Sequence, residues 1–169
     1  MAYQQPPEQP GYAPQQPGYP QPAQYTQPEY ANWLYRVASY LIDGLVSAIP
    51  IIFGYIVLGI TSAGDTTGGA SGVGIAVVGV TYLVSLVIII WNSFMRQGRT
   101  GQSLGKQAVG TRLVSATTGQ PIGALMAFLR QICHFIDGLP CYLGYLWPLW
   151  DSRRQTFADK IVGTVVVRA

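Results

Sequence analysis

Charge is scarce in this 169-residue sequence. Ten Lys/Arg and seven Asp/Glu make up 10% of it, against about 25% in an ordinary soluble domain. Between Val37 and Met95 only Asp43 and Asp65 are charged, and no Lys or Arg precedes Arg36. Such a stretch cannot keep a surface wet, which excludes a uniform soluble globule. The missing basic n-region removes the expectation of a secretory signal peptide. The two cysteines, Cys133 and Cys141, both fall in an apolar run, so no exported disulfide framework is expected. A net charge of +3 without interleaved base-stacking aromatics gives no reason to expect a nucleic-acid partner. Residues 1–30 contain no Leu, Ile, Val or Phe, so they cannot build a core.

What those thirty residues do contain is 8 Pro, 8 Gln and 5 Tyr, with Gln-Pro-Gly-Tyr at Gln9–Tyr12 and again at Gln16–Tyr19. Such a composition cannot offset the entropy of ordering, so the reading is a disordered tail over residues 1–30. It serves either as a solubilising spacer or as a docking tail with exposed tyrosines. The remainder, 31–169, reads as an all-α membrane domain, a small transmembrane helical bundle.

The first span is expected over about 33–60. Its twelve Val/Ile/Leu/Phe residues from Val37 to Leu58 supply roughly −4 to −7 kcal/mol of insertion energy, which outweighs about +3 for Asp43. Pro50 is a candidate kink. The second span, about 72–94, carries no charge, and its 23 residues reach about 34 Å, enough to cross. The segment from Arg96 to Pro121 follows, with Arg96, Arg99, Lys106 and Arg112 and no acid. The positive-inside rule makes it cytoplasmic, as it does the N-terminal tail, and puts the Asp65 loop outside.

The third apolar region, 122–150, is awkward. Its eleven Ile/Leu/Phe residues are set against Arg130, His134 and Asp137, with Gly138-Leu139-Pro140 near its middle. It reads as a helical hairpin broken at Gly138–Pro140, with a single crossing as the alternative. Basic residues after Trp150 favour the hairpin. So does the likeness of Val109-Gly-Thr-Arg-Leu-Val114 to Val162-Gly-Thr-Val-Val-Val167. Both are β-prone, and they can pair only on one side of a membrane.

A second internal echo carries the chemistry. Arg36…Asp43-Gly44-Leu45 matches Arg130…Asp137-Gly138-Leu139, with seven residues from Arg to Asp each time. Seven residues turn a helix through about 700°, so both charges share one face, but the rise of about 10.5 Å is too long for a direct pair. Each Asp is then expected to seek a partner on another segment, and crossed pairing, Asp43 with Arg130 and Asp137 with Arg36, is one hypothesis. An intramembrane carboxylate is either a cation or proton site or half of an ion pair that fixes packing. Gly98–Lys106 lacks the first Gly and the Ser/Thr of a phosphate-binding loop. Cys133-His134…Cys141 lacks metal-ligand spacing. No cofactor or metal is therefore expected. Nor is an enzyme, since no nucleophile-plus-base pattern occurs.

These residues resemble a known family. Arg36 and Asp43 look like the opening Arg–Asp pair of the RDD family of membrane proteins. Gly101-Gln-Ser-Leu-Gly-Lys106 with Arg112-Leu-Val114 is similar to its Gly/Lys-rich loop. Arg153-Arg-Gln-Thr-Phe-Ala-Asp159 with Gly163–Val167 is similar to its closing motif, although Phe157-Ala158 replaces the usual Leu-His. The tail resembles those on actinobacterial members. The resemblance implies a multi-pass inner-membrane protein in which Arg36, Asp43 and Asp159 matter. It also implies a transport-type role toward a small ligand, a monovalent cation or a proton. One chain is too small to enclose a pathway, so that role requires a homo-oligomer or a partner membrane subunit. The competing expectation is a non-transporting membrane adaptor whose tail recruits partners.

Overall fold

The computed structural model describes residues 28–64 and 69–169. It is mostly helical. Helix α1 (Trp33–Ser62) starts where the Asn32 side chain accepts a hydrogen bond from the Tyr35 N–H at 3.2 Å, and it continues through Pro50. Helix α2 (Gly72–Ile90) runs without a break into a π-helical turn (Trp91–Arg96) and then α3 (Gln97–Thr100). The second span is thus longer than expected, since the polar residues from Arg96 to Thr100 stay helical. α1 and the Gly72–Thr100 helix are the two described helices long and apolar enough to cross a membrane. The loop at Asp65 lies outside the described residues.

The long helices are built inside out. α1 buries Arg36, Ser39 and Gly54, and α2 buries Gly74, Thr81 and Ser85. Leu41, Leu45, Ile52, Phe53, Ile56, Leu83 and Val87 are exposed. Exposed apolar faces around a polar seam mean that lipid, not water, is the solvent. With no hydrophobic drive between helices in lipid, close backbone approach supplies the contact. A Cβ at Gly54 would overlap the Thr81 hydroxyl, and one at Gly74 would press on Leu58.

Beyond α3 come α4 (Leu104–Ala108), strand β1 (Thr111–Ser115), α5 (Gly123–Gly138), α6 (Leu143–Leu146), a single 3-10 turn (Trp147–Leu149), α7 (Phe157–Val162) and β2 (Thr164–Arg168). β1 and β2 pair antiparallel, so the fold is not purely helical. Their pairing also brings both flanks of the third apolar region to one face, as the hairpin reading requires. The break covers 139–142, with Cys141 and Tyr142 at positive φ, and so overlaps the expected Gly138–Pro140 while Gly138 itself stays in α5. The second arm corrects the hairpin, however: α6 and the following turn hold only seven residues, about a third of a span. The chain turns back after α5, pinned where the Trp33 indole N–H donates to the Tyr145 carbonyl at 2.9 Å.

Residues 1–27 of the expected tail lie outside the described residues. Residues 28–30 correct its boundary, because they extend the sheet. Tyr30 bridges Val167, the Arg168 N–H donates to the Glu29 carbonyl, and the Ala31 N–H donates to the Val166 carbonyl. Ala31, Leu113 and Val166 form a small buried apolar core under the sheet.

The two sequence echoes belong to one repeat. Ser103–Val114 and Thr156–Val167 correspond at an offset of 53 residues, and each comprises a capped short helix, a positive-φ glycine (Gly110 or Gly163) and a strand. Leu113 pairs with Val166, its own equivalent, so a local twofold axis passes between them. α1 precedes the first unit and α5 the second. The α2–α3 span is inserted in the first unit alone.

Candidate functional site

Each repeat sends its Arg to one place and its Asp to another. Asp159, fully buried, accepts from Arg36 Nη1 at 2.7 Å and from Arg130 Nε at 2.7 Å. Thr164 Oγ1 donates to it at 2.9 Å, and the Thr156 N–H closes a capping box at 3.2 Å. Burial alone would raise this carboxyl, but the Arg130 and Arg36 guanidiniums outweigh it and hold it well below the usual carboxylate range.

Asp137, also fully buried, accepts the Phe157 and Ala158 N–H groups at 2.8 and 3.2 Å, and His134 Nδ1 lies 2.5 Å from its other oxygen. Asp43, half-buried, accepts Gly105 N–H at 2.7 Å, Ser103 Oγ at 2.6 Å and Asn92 Nδ2 at 2.7 Å. The two aspartates thus do equivalent work: each holds the first turn of the short helix in its own repeat. A Cβ at Gly105 would overlap the Ser39 carbonyl, so this close approach of α4 to α1 depends on glycine.

The crossed pairing is overturned. Neither Asp43 nor Asp137 meets an arginine. Both arginines converge on Asp159, because it sits in the third position of α7, between α1 and α5. Backbone N–H groups at helix starts carry partial positive charge and take the other two carboxylates in place of a guanidinium.

Asn92 was missed by sequence reasoning. It is 1% exposed and lies in the π-helical turn, where the widened backbone aims it at Asp43 while its carbonyl accepts the Leu104 N–H at 2.8 Å. A lone amide in a charge-free span was the available signal. His134 bridges Asp137 and the Tyr40 hydroxyl, 3.2 Å from its Nε2. Of the basic loop residues, Arg96 donates to the Gln102 carbonyl and to Gln107 Oε1, while Arg99 and Arg112 are exposed.

Lys106 is the exception among them. It occupies the place in the first repeat that Asp159 holds in the second. It is 3% exposed, and its Nζ lies 5.1 Å from the Tyr40 ring centroid with no hydrogen-bond acceptor among the described residues. Burial, then the repulsion of Arg130, lowers its pKa to about 7, opposed by Asp43. Lys106 lines a cavity of about 270 Å³ together with Asp43, Arg130, Tyr40, Ser47 and Gln97.

The RDD family model matches residues 30–163. The chain is 38% identical over 151 residues to the Proline-rich antigen homolog of Mycobacterium tuberculosis (strain H37Rv), covering 82% of this chain and 63% of that one. It is 36% identical over 149 residues to the Proline-rich antigen of Mycobacterium leprae (strain TN), covering 80% and 60%. It therefore spans about three fifths of the length of these curated relatives. No solved structure matches it.

Proposed function

The chain belongs to the RDD family, and on that premise we propose that it is a membrane module exchanging a monovalent cation for a proton, with Lys106 as the proton-binding group. The observation that carries this reading is a lysine only 3% exposed that lines a cavity it shares with Asp43. In formal charge, Arg36, Lys106 and Arg130 stand against Asp43, Asp137 and Asp159. Loss of the Lys106 proton leaves one negative charge, which a monovalent cation restores. Asp43, Ser47, Gln97 and the Tyr40 hydroxyl supply the oxygens. Asp43 places Gly105 and Lys106 and sets the field, and the proton itself rides on Lys106.

The stretches Gly44–Ser62 and Gly72–Ile90 are 19 residues each, about 28 Å, close to the hydrocarbon thickness. The cavity then lies at one membrane edge of the inner membrane, on the basic, cytoplasmic side by the positive-inside rule. A single chain leaves the far half of the path to a second copy or a partner subunit.

The reading as an adaptor, in which the charges only fix packing, is favoured by how completely Asp137 and Asp159 are satisfied. Proteoliposomes loaded with a pH-sensitive dye separate the two. Under an imposed pH gradient, adding potassium or sodium gluconate outside should move protons through the native chain and not through K106M. Proton movement equal to that of empty liposomes, or equal in K106M and the native chain, overturns exchange and leaves the adaptor.

A further inference from the structure

Arg36 spends only one of its three nitrogens. Nη1 reaches Asp159, while Nε and Nη2 are buried and unpartnered. Those two N–H groups form one edge of the guanidinium, the side-on fork that matches the two oxygens of a carboxylate. A second, smaller cavity of about 90 Å³ meets the same residue, walled by Trp33, Val37, Tyr40, Tyr145 and Thr156. That is about three waters' worth of volume, enough for a planar group of three heavy atoms and too tight for a tetrahedral phosphate with its shell.

No buried carboxylate nearby is left over for the fork. Asp159 is already shared with Arg130, Asp137 is held by α7 and His134, and Asp43 is held by α4 and Asn92. The Trp33 N–H is taken by the Tyr145 carbonyl, and the Tyr145 hydroxyl donates to the His134 carbonyl. Leaving charged donors buried without acceptors costs more than leaving a neutral one so. We propose that this cavity is a binding site for a single carboxylate group, held side-on by Arg36 Nε and Nη2. It is distinct from the exchange cavity, which Arg36 does not line, although Tyr40 walls both. The carboxylate comes either from a small free acid or from a fatty acid at the membrane edge.

The test uses the full chain, ¹⁵N-labelled, in nanodiscs of phosphatidylglycerol, whose headgroup has no carboxylate. R36K identifies the Arg36 Nε–H resonance. Sodium formate should move that resonance saturably in the millimolar range, and sodium chloride at equal ionic strength should not. Oleate added to the disc in place of formate should move it if the bilayer is the source, and formate alone if the free acid is. V37F fills the cavity without touching the Arg36–Asp159 pair and should abolish the response, and V37L, a milder filling, should weaken it. A resonance indifferent to both acids means that only water sits there and overturns the site. So does a full response in V37F or V37L.

Discussion

Asp159→Asn removes one charge and almost no volume, and the structure sets a large cost on it. The native carboxylate takes Arg36 and Arg130 at 2.7 Å each, with side chains 6% and 3% exposed. An amide keeps one oxygen and turns an NH₂ toward a guanidinium, leaving two buried cations to share a neutral acceptor. Breaking a buried pair by removing one partner costs about 3–5 kcal/mol, a large part of the about 5–15 kcal/mol typical of a whole domain. Thr156→Ala, which removes only the hydroxyl of the same capping box, should cost about 0.5–2 kcal/mol. Arg36→Met or Arg130→Met should fall between, because the other arginine still balances the carboxylate. The pH dependence has a definite sign. The folded carboxyl is held below its unfolded value, so its stabilisation is complete above about pH 4. It drains as pH falls below that, and the gap between native and D159N should narrow only there. The assay is denaturant unfolding in micelles followed by tryptophan fluorescence. Trp147 is a built-in reporter of α7, its ring centroid 5.0 Å from that of Phe157. A D159N protein within about 1 kcal/mol of native at pH 7 would refute the view that this carboxylate holds the two repeats together.

Lys106 is a penalty where Asp159 is a support, although stability again rises with pH. Its folded pKa of about 7 lies below its unfolded one, so its burial penalty is full below pH 7 and is relieved as pH rises toward about 10.4. K106M should be the more heat-stable protein at pH 6, with the difference shrinking by pH 9 in thermal scans. Gly105→Ala forces α4 off the Ser39 carbonyl and should cost about 1–3 kcal/mol in the unfolding assay, as overpacking does. Deleting residues 1–27 should leave the melting temperature of the domain unchanged. Deleting 1–31 takes Ala31 from the core and two backbone hydrogen bonds from β2, and should lower it. Single cysteines at Arg112 and Arg168, in a chain with Cys133 and Cys141 replaced by Ser, should label from one side of sealed vesicles and a cysteine at Ala70 from the other. Labelling of Arg112 and Arg168 positions from opposite sides would contradict the sheet.

Periodicity and charge made part of this legible. The spans and the break after Gly138 follow from composition and from the cost of charge in lipid, both of which act locally. The paired strands followed from the repeated Val-Gly-Thr. The arginine partners did not follow, because the Arg–Asp spacing specifies a face and not the element across from it. A carboxylate in lipid was assumed to need a cation. Asp43 and Asp137 instead take N–H groups from helix starts, and the sequence marks those starts only by Ser103 and Thr156. The 53-residue offset was visible at Val109 and Val162, but the helices before them differ in sequence. Lys106 stands where Asp159 does, so a charge reversal hides the equivalence.

That reversal is where structure and function meet. In one repeat the third residue of the short helix is an acid, and it is clamped by two guanidiniums until nothing near it is free to titrate. In the other the same place holds a base, and the equivalent clamp is absent: Asp43 is occupied by Gly105, Ser103 and Asn92, so the ammonium faces an aromatic ring and a cavity. A symmetric pair would have satisfied both. Exchange of the two charges, K106D with D159K, therefore tests the logic of the whole arrangement. It would place two carboxylates on one cavity and a lysine between two arginines, each a like-charge cluster in a desolvated site. The doubly exchanged protein should fail to accumulate in membranes, whereas K106M should accumulate normally. A stable exchanged protein would mean that the two positions are interchangeable, and that Lys106 owes its buried, unpaired state to chance placement and not to the work proposed for it.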